Sequence, residues 1–63
     1  MNPFDELVHR VNNLLGTIEV QAEVARAEGS LAAHEQALKF IVESAAATRV
    51  EMRALIGEQA GGA

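Results

Sequence analysis

Apolar residues in the first half of the chain recur at alternating intervals of four and three positions. The members of this pattern are Phe4, Val8, Val11, Leu15, Ile18, Ala22 and Ala25. Such spacing predicts the a/d seam of an amphipathic helix in a coiled-coil-like bundle. Because Leu7 and Leu14 widen the seam on one flank, the pattern favours contact with more than one neighbouring helix.

The second half of the chain carries a similar but less apolar seam. Its members are Leu31, His34, Leu38, Ile41, Ala45, Thr48, Met52 and Leu55, with Val42 and Ile56 beside them. The repeat is again helical, so the whole chain is predicted to be all-α.

Capping residues mark where these two helices should begin and end. Asn2 suits an N-cap, and Pro3 suits the first helical position, where a missing N–H costs nothing. Gly29 can adopt the left-handed conformation that stops a helix, and Ser30 can cap the next one. The predicted elements are a helix over 3–28, a turn at 29–30, a helix over 31–57 and a flexible tail over 58–63. So short a turn makes the helices antiparallel neighbours.

The chain is short for an independent fold. It has 63 residues and no cysteine, and cores of chains below roughly 70–80 residues rarely supply enough stability on their own. Self-association can supply the rest, so we expect the hairpin to form a homodimeric four-helix bundle.

Charge and aromatic content argue against two classes of partner. The net charge is −4, and Phe4 and Phe40 are the only aromatic residues, which disfavours nucleic acid and anionic membranes. No apolar run approaches the ~20 residues that span a bilayer, and the N-terminal residues lack the features of a signal peptide. A cytoplasmic protein is therefore expected.

His9 and Asn13 are the candidate functional residues. With Val8 and Val11 at a and d, His9 falls at b and Asn13 at f, so both should lie on one exposed face about one turn apart. A neutral imidazole has a free ring-nitrogen lone pair that can attack a phosphoryl group. The amide of Asn13 can hydrogen-bond a water molecule or a phosphoryl oxygen.

The segment 4–18, with its His9-Arg10-Val11-Asn12-Asn13-Leu14-Leu15 core and Ile18, resembles the H-box of sensor histidine kinases. This box belongs to their dimerisation and phosphotransfer domain. The resemblance implies a two-component signalling module, with His9 as phosphoacceptor and Asn13 assisting dephosphorylation of a response regulator. In the larger kinase subfamily an acidic residue follows the histidine and serves as a base. Here Arg10 follows it, as in a second subfamily.

The resemblance also implies partners. A receiver domain would dock on the first helix below His9 and exchange phosphate with it through an aspartate. The chain contains no Gly-rich phosphate loop, so we expect a fragment of a sensor histidine kinase or a stand-alone histidine phosphotransfer protein, and not a complete kinase by itself. ATP and Mg²⁺ are expected only on partner domains, among them a separate ATP-binding domain, and the chain should need no cofactor of its own.

Three other interpretations remain open. The chain can be a structural or interaction adaptor, a helical dimer in which His9 and Asn13 have no chemical role. Glu6 and His9 have the Glu-x-x-His spacing of di-iron bundles, and a dimer could add Glu35 or Glu43 from the second helix. However, Glu6 and His9 are predicted to face water, whereas such ligands project into the bundle. His34 can be a second phosphoacceptor, although a partly buried, locally hydrogen-bonded histidine is the simpler expectation.

Overall fold

The chain folds as two helices in a hairpin, which confirms the all-α prediction. In a computed structural model, the backbone is described for residues 2–61 and the side chains for residues 2–57. Helix α1 spans Pro3–Glu28 and helix α2 spans Leu31–Gly61. The part of the chain from 2 to 61 contains no strand, and neither of its helices is long and apolar enough to cross a membrane.

Both ends of α1 are closed by the expected residues. The side chain of Asn2 accepts a hydrogen bond of 2.9 Å from the backbone N–H of Asp5. At the other end Gly29 has φ 69° and ψ 1°, and its N–H donates to the carbonyl of Ala25 at 2.9 Å. The Oγ atom of Ser30 then accepts from the N–H of Ala33 at 3.0 Å, which caps α2. The link is thus a helix stop followed at once by a helix start.

Helix α2 is longer than the sequence pattern predicts. Its predicted end is residue 57, whereas the backbone remains helical through Gly61. Glycine lowers helix propensity without forbidding a helix, and a Cβ added at Gly57 would meet no other atom within 4 Å. The predicted flexible tail stays a prediction, and its last two residues, 62 and 63, lie outside the described part of the chain.

Small side chains fill the contact between the helices. Among residues 2–57, the buried ones are Ala25, Ala37 and Thr48, and no large side chain is fully buried. Small residues allow the two backbones to approach closely beside a two-residue turn. They also remove little apolar surface from water, so the hairpin alone has a thin core.

The hairpin uses only one flank of the broad apolar stripe on α1. Val11, Ile18 and Ala25 contribute to the contact as the seam predicts, but their companions are the half-buried residues Leu7, Leu14 and Gln21. The other predicted seam residues, Phe4, Val8, Leu15 and Ala22, are exposed. A stripe with two flanks cannot pack both against one helix, so one flank remains open.

The second seam changes in a similar way near the turn. Leu31, His34 and Leu38 are exposed, and Ala37 is buried in their place. Further along, Ile41, Ala45, Met52 and Leu55 are half-buried as predicted. Burial of Ala37 instead of Leu38 places a small residue near the turn, where the helices are closest together.

One broad side of the hairpin is markedly apolar. Ala22 and Leu38 line the same groove between the helices, and Leu14, Ala45 and Ile56 line a second groove. Together with residues at equivalent heptad positions they form a surface that we name the open face. Its members are Val8, Leu15, Ala22, Leu38, Val42 and Ile56. The molecule measures 50 × 16 × 9 Å along its principal axes, so the two helices form a single layer, and none of residues 2–57 covers this face.

Candidate functional site

His9 lies on the side of α1 that faces away from α2. It is two residues from Leu7 and two from Val11, which both contact α2, and two residues correspond to about 200° around a helix. The residue is exposed, and so is Asn13 one turn further on. The structure therefore brings the two candidate residues together on one outward face.

The imidazole of His9 is not engaged by the rest of the hairpin. Within residues 2–57 no hydrogen bond and no ion pair involves its ring. A neutral imidazole in this setting keeps a lone pair available to an approaching electrophile. The rigid helix fixes where that ring is presented.

A shallow groove begins beside Asn13. It runs between the helices, with Asn13, Gly16 and Thr17 on the α1 side and Phe40 on the α2 side. Val20 and Phe40 are exposed to 58% and 49% in this region, which gives the groove an apolar floor at some distance from the histidine. A partner docked there would contact α1 within two turns of His9.

Arg10, the residue after the histidine, holds two carboxylates at once. Its guanidinium bonds Glu6 on the same helix, with Nε and one terminal nitrogen each 3.0 Å from Oε1. The other terminal nitrogen contacts Oε2 of Glu51 on α2. The three side chains are 42%, 27% and 39% exposed, in the order Arg10, Glu6 and Glu51. We name this group the charge clamp.

The sequence pattern did not reveal the charge clamp. Glu6 was expected to face water, yet it is half-buried, and Glu51 bonds Arg10 across the hairpin. The pairing could have been found from the sequence, because an antiparallel hairpin that turns at 29–30 places position 10 opposite about position 50.

His34 is placed differently from His9. It is exposed, not partly buried as expected, but the expected local hydrogen bond is confirmed: Nδ1 lies 2.7 Å from the carbonyl oxygen of Ser30. A carbonyl only accepts, so Nδ1 carries the proton. The bond closes the first turn of α2 and accounts for the orientation of the ring.

The di-iron arrangement receives no geometric support. No group of three or more potential metal-ligating side chains occurs in the part of the chain that the structure describes. Glu6, one of the proposed ligands, is bonded to Arg10.

No protein-family model, curated protein or solved structure matches this chain. What it does must therefore follow from the chemistry of its own exposed side chains.

Proposed function

We propose that this chain is a histidine phosphoacceptor and dimerisation module of a two-component signalling system. In this proposal His9 exchanges a phosphoryl group with an aspartate of a response-regulator receiver domain. The observation that carries the proposal is the exposed, outward-facing imidazole of His9, set on a rigid helix with Asn13 one turn away. The similarity of residues 4–18 to the kinase H-box supports the same assignment.

The chemistry requires little from the chain beyond position. A ring nitrogen of His9 attacks the phosphorus, a nitrogen–phosphorus bond forms, and the bond from phosphorus to the donor oxygen breaks with its electron pair leaving on that oxygen. The reverse step delivers the phosphoryl group to an aspartate. Such transfers depend mainly on in-line positioning and charge stabilisation. A docked partner would bring Mg²⁺, and an ATP-binding domain on another chain would bring ATP.

In this proposal Asn13 assists the removal of phosphate from the receiver domain. Its amide lies on the same face as His9, about one helical turn away, and can orient a water molecule towards a phosphoaspartate on the docked receiver. The groove that starts at Asn13 and includes Gly16 and Phe40 offers a surface for that receiver.

Dimerisation completes the proposal. The open face carries exposed aliphatic side chains such as Leu15, Leu38 and Val42, which are 49%, 62% and 66% exposed. Covering this face with a second hairpin would give a four-helix bundle with a larger core. His9 lies on the opposite side of α1 from α2 and away from Leu15 in the heptad, so the bundle leaves it accessible. We place this dimer in the cytoplasm, with receiver domains as its partners.

Phosphotransfer from a labelled receiver domain tests the proposal. The purified chain is incubated with Mg²⁺ and phosphorylated receiver domains, and the product is examined for label that is labile in acid and stable in base. We expect label on the wild-type chain and on His34→Ala, and none on His9→Ala. Because His9 adds little to the helix contact, His9→Ala should keep the helicity and mass of the wild-type dimer.

The adaptor interpretation makes the opposite prediction. Without a chemical role for His9, no receiver or kinase domain labels the wild-type chain, while the dimer still forms. Label that persists in His9→Ala also contradicts the assignment.

A further inference from the structure

The charge clamp joins the two helices at the level of His9. Arg10 bonds Glu6 on its own helix and Glu51 on α2, and it directly follows the candidate phosphoacceptor. The third ion pair of the described residues, Arg26 with Glu23, lies within α1 and is 3.5 Å long between largely exposed groups. In the described part of the chain, Arg10–Glu51 is thus the ion pair that connects α1 to α2.

The apolar contact between the helices fixes their relative rotation only weakly. Large interlocking side chains normally select one rotation, because every other one leaves voids or clashes. Among residues 2–57 the buried positions are Ala25, Ala37 and Thr48, and the larger contact residues, such as Leu14 and Ile18, are only half-buried. Side chains that are not enclosed restrict the rotation of α1 incompletely, so other interactions contribute to setting it.

Arg10 is suited to setting the rotation of α1. Its planar guanidinium presents donors in a fixed fork, and two carboxylates from two helices fill that fork from different directions. Satisfying both at once requires Arg10 to stay on the flank of α1 that borders Glu51. Since Arg10 and His9 are adjacent in the helix, fixing one fixes the direction in which the other points.

We infer that Arg10 is a positioning residue that, held by Glu6 and Glu51, fixes the rotation of α1 so that the imidazole of His9 faces outward. This inference deepens the proposed function and rests on it for its consequence in phosphotransfer. It also assigns a role to the arginine that takes the place of an acidic residue after the histidine.

Accessibility of the imidazole tests the inference without any phosphotransfer. Diethyl pyrocarbonate modifies accessible histidine rings, and the chain contains two histidines, so His34 serves as an internal reference. His9 already faces away from α2, so a large rotation of α1 in either sense moves it towards α2. We therefore expect Arg10→Gln and Glu51→Gln to lower the modification rate of His9 relative to His34 by about twofold or more, in proportion to the rotated population.

Exchange of the two charges provides the rescue. The double variant Arg10→Glu with Glu51→Arg keeps the net charge and rebuilds a link between the helices, and it should restore the His9 to His34 ratio. Arg26→Gln is the matched control, because it removes an arginine of α1 whose pair does not reach α2. Since Arg26 lines the same groove as His34, this control is read from the modification rate of His9 alone, which should stay unchanged. Far-UV circular dichroism and dimer mass, measured on each variant, ensure that folded proteins are compared.

Phosphotransfer gives a second readout. Arg10→Gln should slow labelling of His9 by about fivefold or more, because misdirection of a nucleophile is costly for an in-line reaction, and the charge exchange should recover it. Unchanged ratios in Arg10→Gln and Glu51→Gln, or an exchange that fails to restore the ratio in a folded protein, would overturn the positioning role. Failure of the proposed function gives a different result. In that case the wild-type chain takes no label, while the His9 to His34 ratio still falls in Arg10→Gln and Glu51→Gln.

Discussion

At the scale of single residues, the exposure of His9 and Asn13 was predictable because it depends only on helical geometry. The heptad assignment places both off the seam, and both are exposed in the structure. The partners of Arg10 could not be predicted in the same way, because Glu51 comes from the other helix and its position depends on how the hairpin pairs. The exposure of His34 was not predicted either. The seam placed His34 and Leu38 at the helix contact, but Ala37 is buried there and Leu38 is exposed.

Asn13 should affect one direction of phosphate flow more than the other. We expect Asn13→Ala to slow dephosphorylation of a phosphorylated receiver by about tenfold, because the water loses an orienting amide. Labelling of His9 should change much less, since the nucleophile is untouched. Both rates are measured on the same receiver by following its phosphoaspartate and the labelled chain.

Asn12→Ala is the natural control for that experiment. Asn12 has the same side chain, is also exposed, and precedes Asn13 by one residue, which rotates it by about 100° around the helix. Because Asn12 lines the same groove as Asn13, the chain is used in saturating excess over the receiver, and under that condition Asn12→Ala should dephosphorylate the receiver as fast as the wild type. If Asn12→Ala and Asn13→Ala slow dephosphorylation equally, the specific role of Asn13 is wrong.

At the scale of the helices, the capping residues allowed the ends of α1 and the start of α2 to be predicted correctly. Asn2, Gly29 and Ser30 each make the hydrogen bonds that their positions imply. The end of α2 was harder to place, because glycines weaken a helix gradually and do not end it at a defined residue. Two glycine substitutions test these two situations.

Gly29→Ala should destabilise the hairpin. A Cβ at this position meets nothing within 4 Å, but φ is +69°, so the cost is conformational and should be about 1 kcal/mol. The free energy of unfolding is obtained from urea titrations followed by far-UV circular dichroism at one fixed protein concentration, since a dimer's stability depends on concentration. A variant as stable as the wild type would contradict the left-handed helix stop.

Gly57→Ala should have the opposite effect. Position 57 lies inside α2, with open space for a methyl group, so the substitution should stabilise the protein by about 0.5–1 kcal/mol. The same titration measures it. No gain in stability would favour the helix end at residue 57 that the sequence pattern predicts.

At the scale of the whole molecule, the main finding is an excess of apolar surface over what one hairpin can cover. The width of the α1 stripe predicted a second neighbour, but the sequence did not indicate which flank the hairpin would use. In the structure Leu7 and Leu14 turn towards α2, and Val8 and Leu15 are left on the open face. That arrangement is what a bundle of two hairpins requires.

Two valines on α2 test the open face as the dimer interface. Val42 and Val50 are 66% and 65% exposed and are separated by about 80° around the helix, with Val42 on the open face and Val50 outside it. Val42→Glu should weaken dimerisation by about tenfold or more, because it buries a charge in each half of the interface. Val50→Glu should leave the dimer intact.

Sedimentation velocity across a range of concentrations measures both variants beside the wild type. A dimer that survives Val42→Glu but dissociates in Val50→Glu would assign the interface to a surface outside the open face. A wild-type chain that remains monomeric at every concentration would contradict the dimer.

The central claim is that the outward imidazole at position 9 accepts a phosphoryl group, and mapping that group to a residue tests it most directly. The chain is phosphorylated by a receiver domain with Mg²⁺, digested under alkaline conditions that preserve phosphohistidine, and analysed by tandem mass spectrometry. The account predicts the added phosphoryl mass on the peptide that contains His9, with none on the peptide that contains His34. A phosphoryl group found only on His34, or on neither histidine, would contradict it.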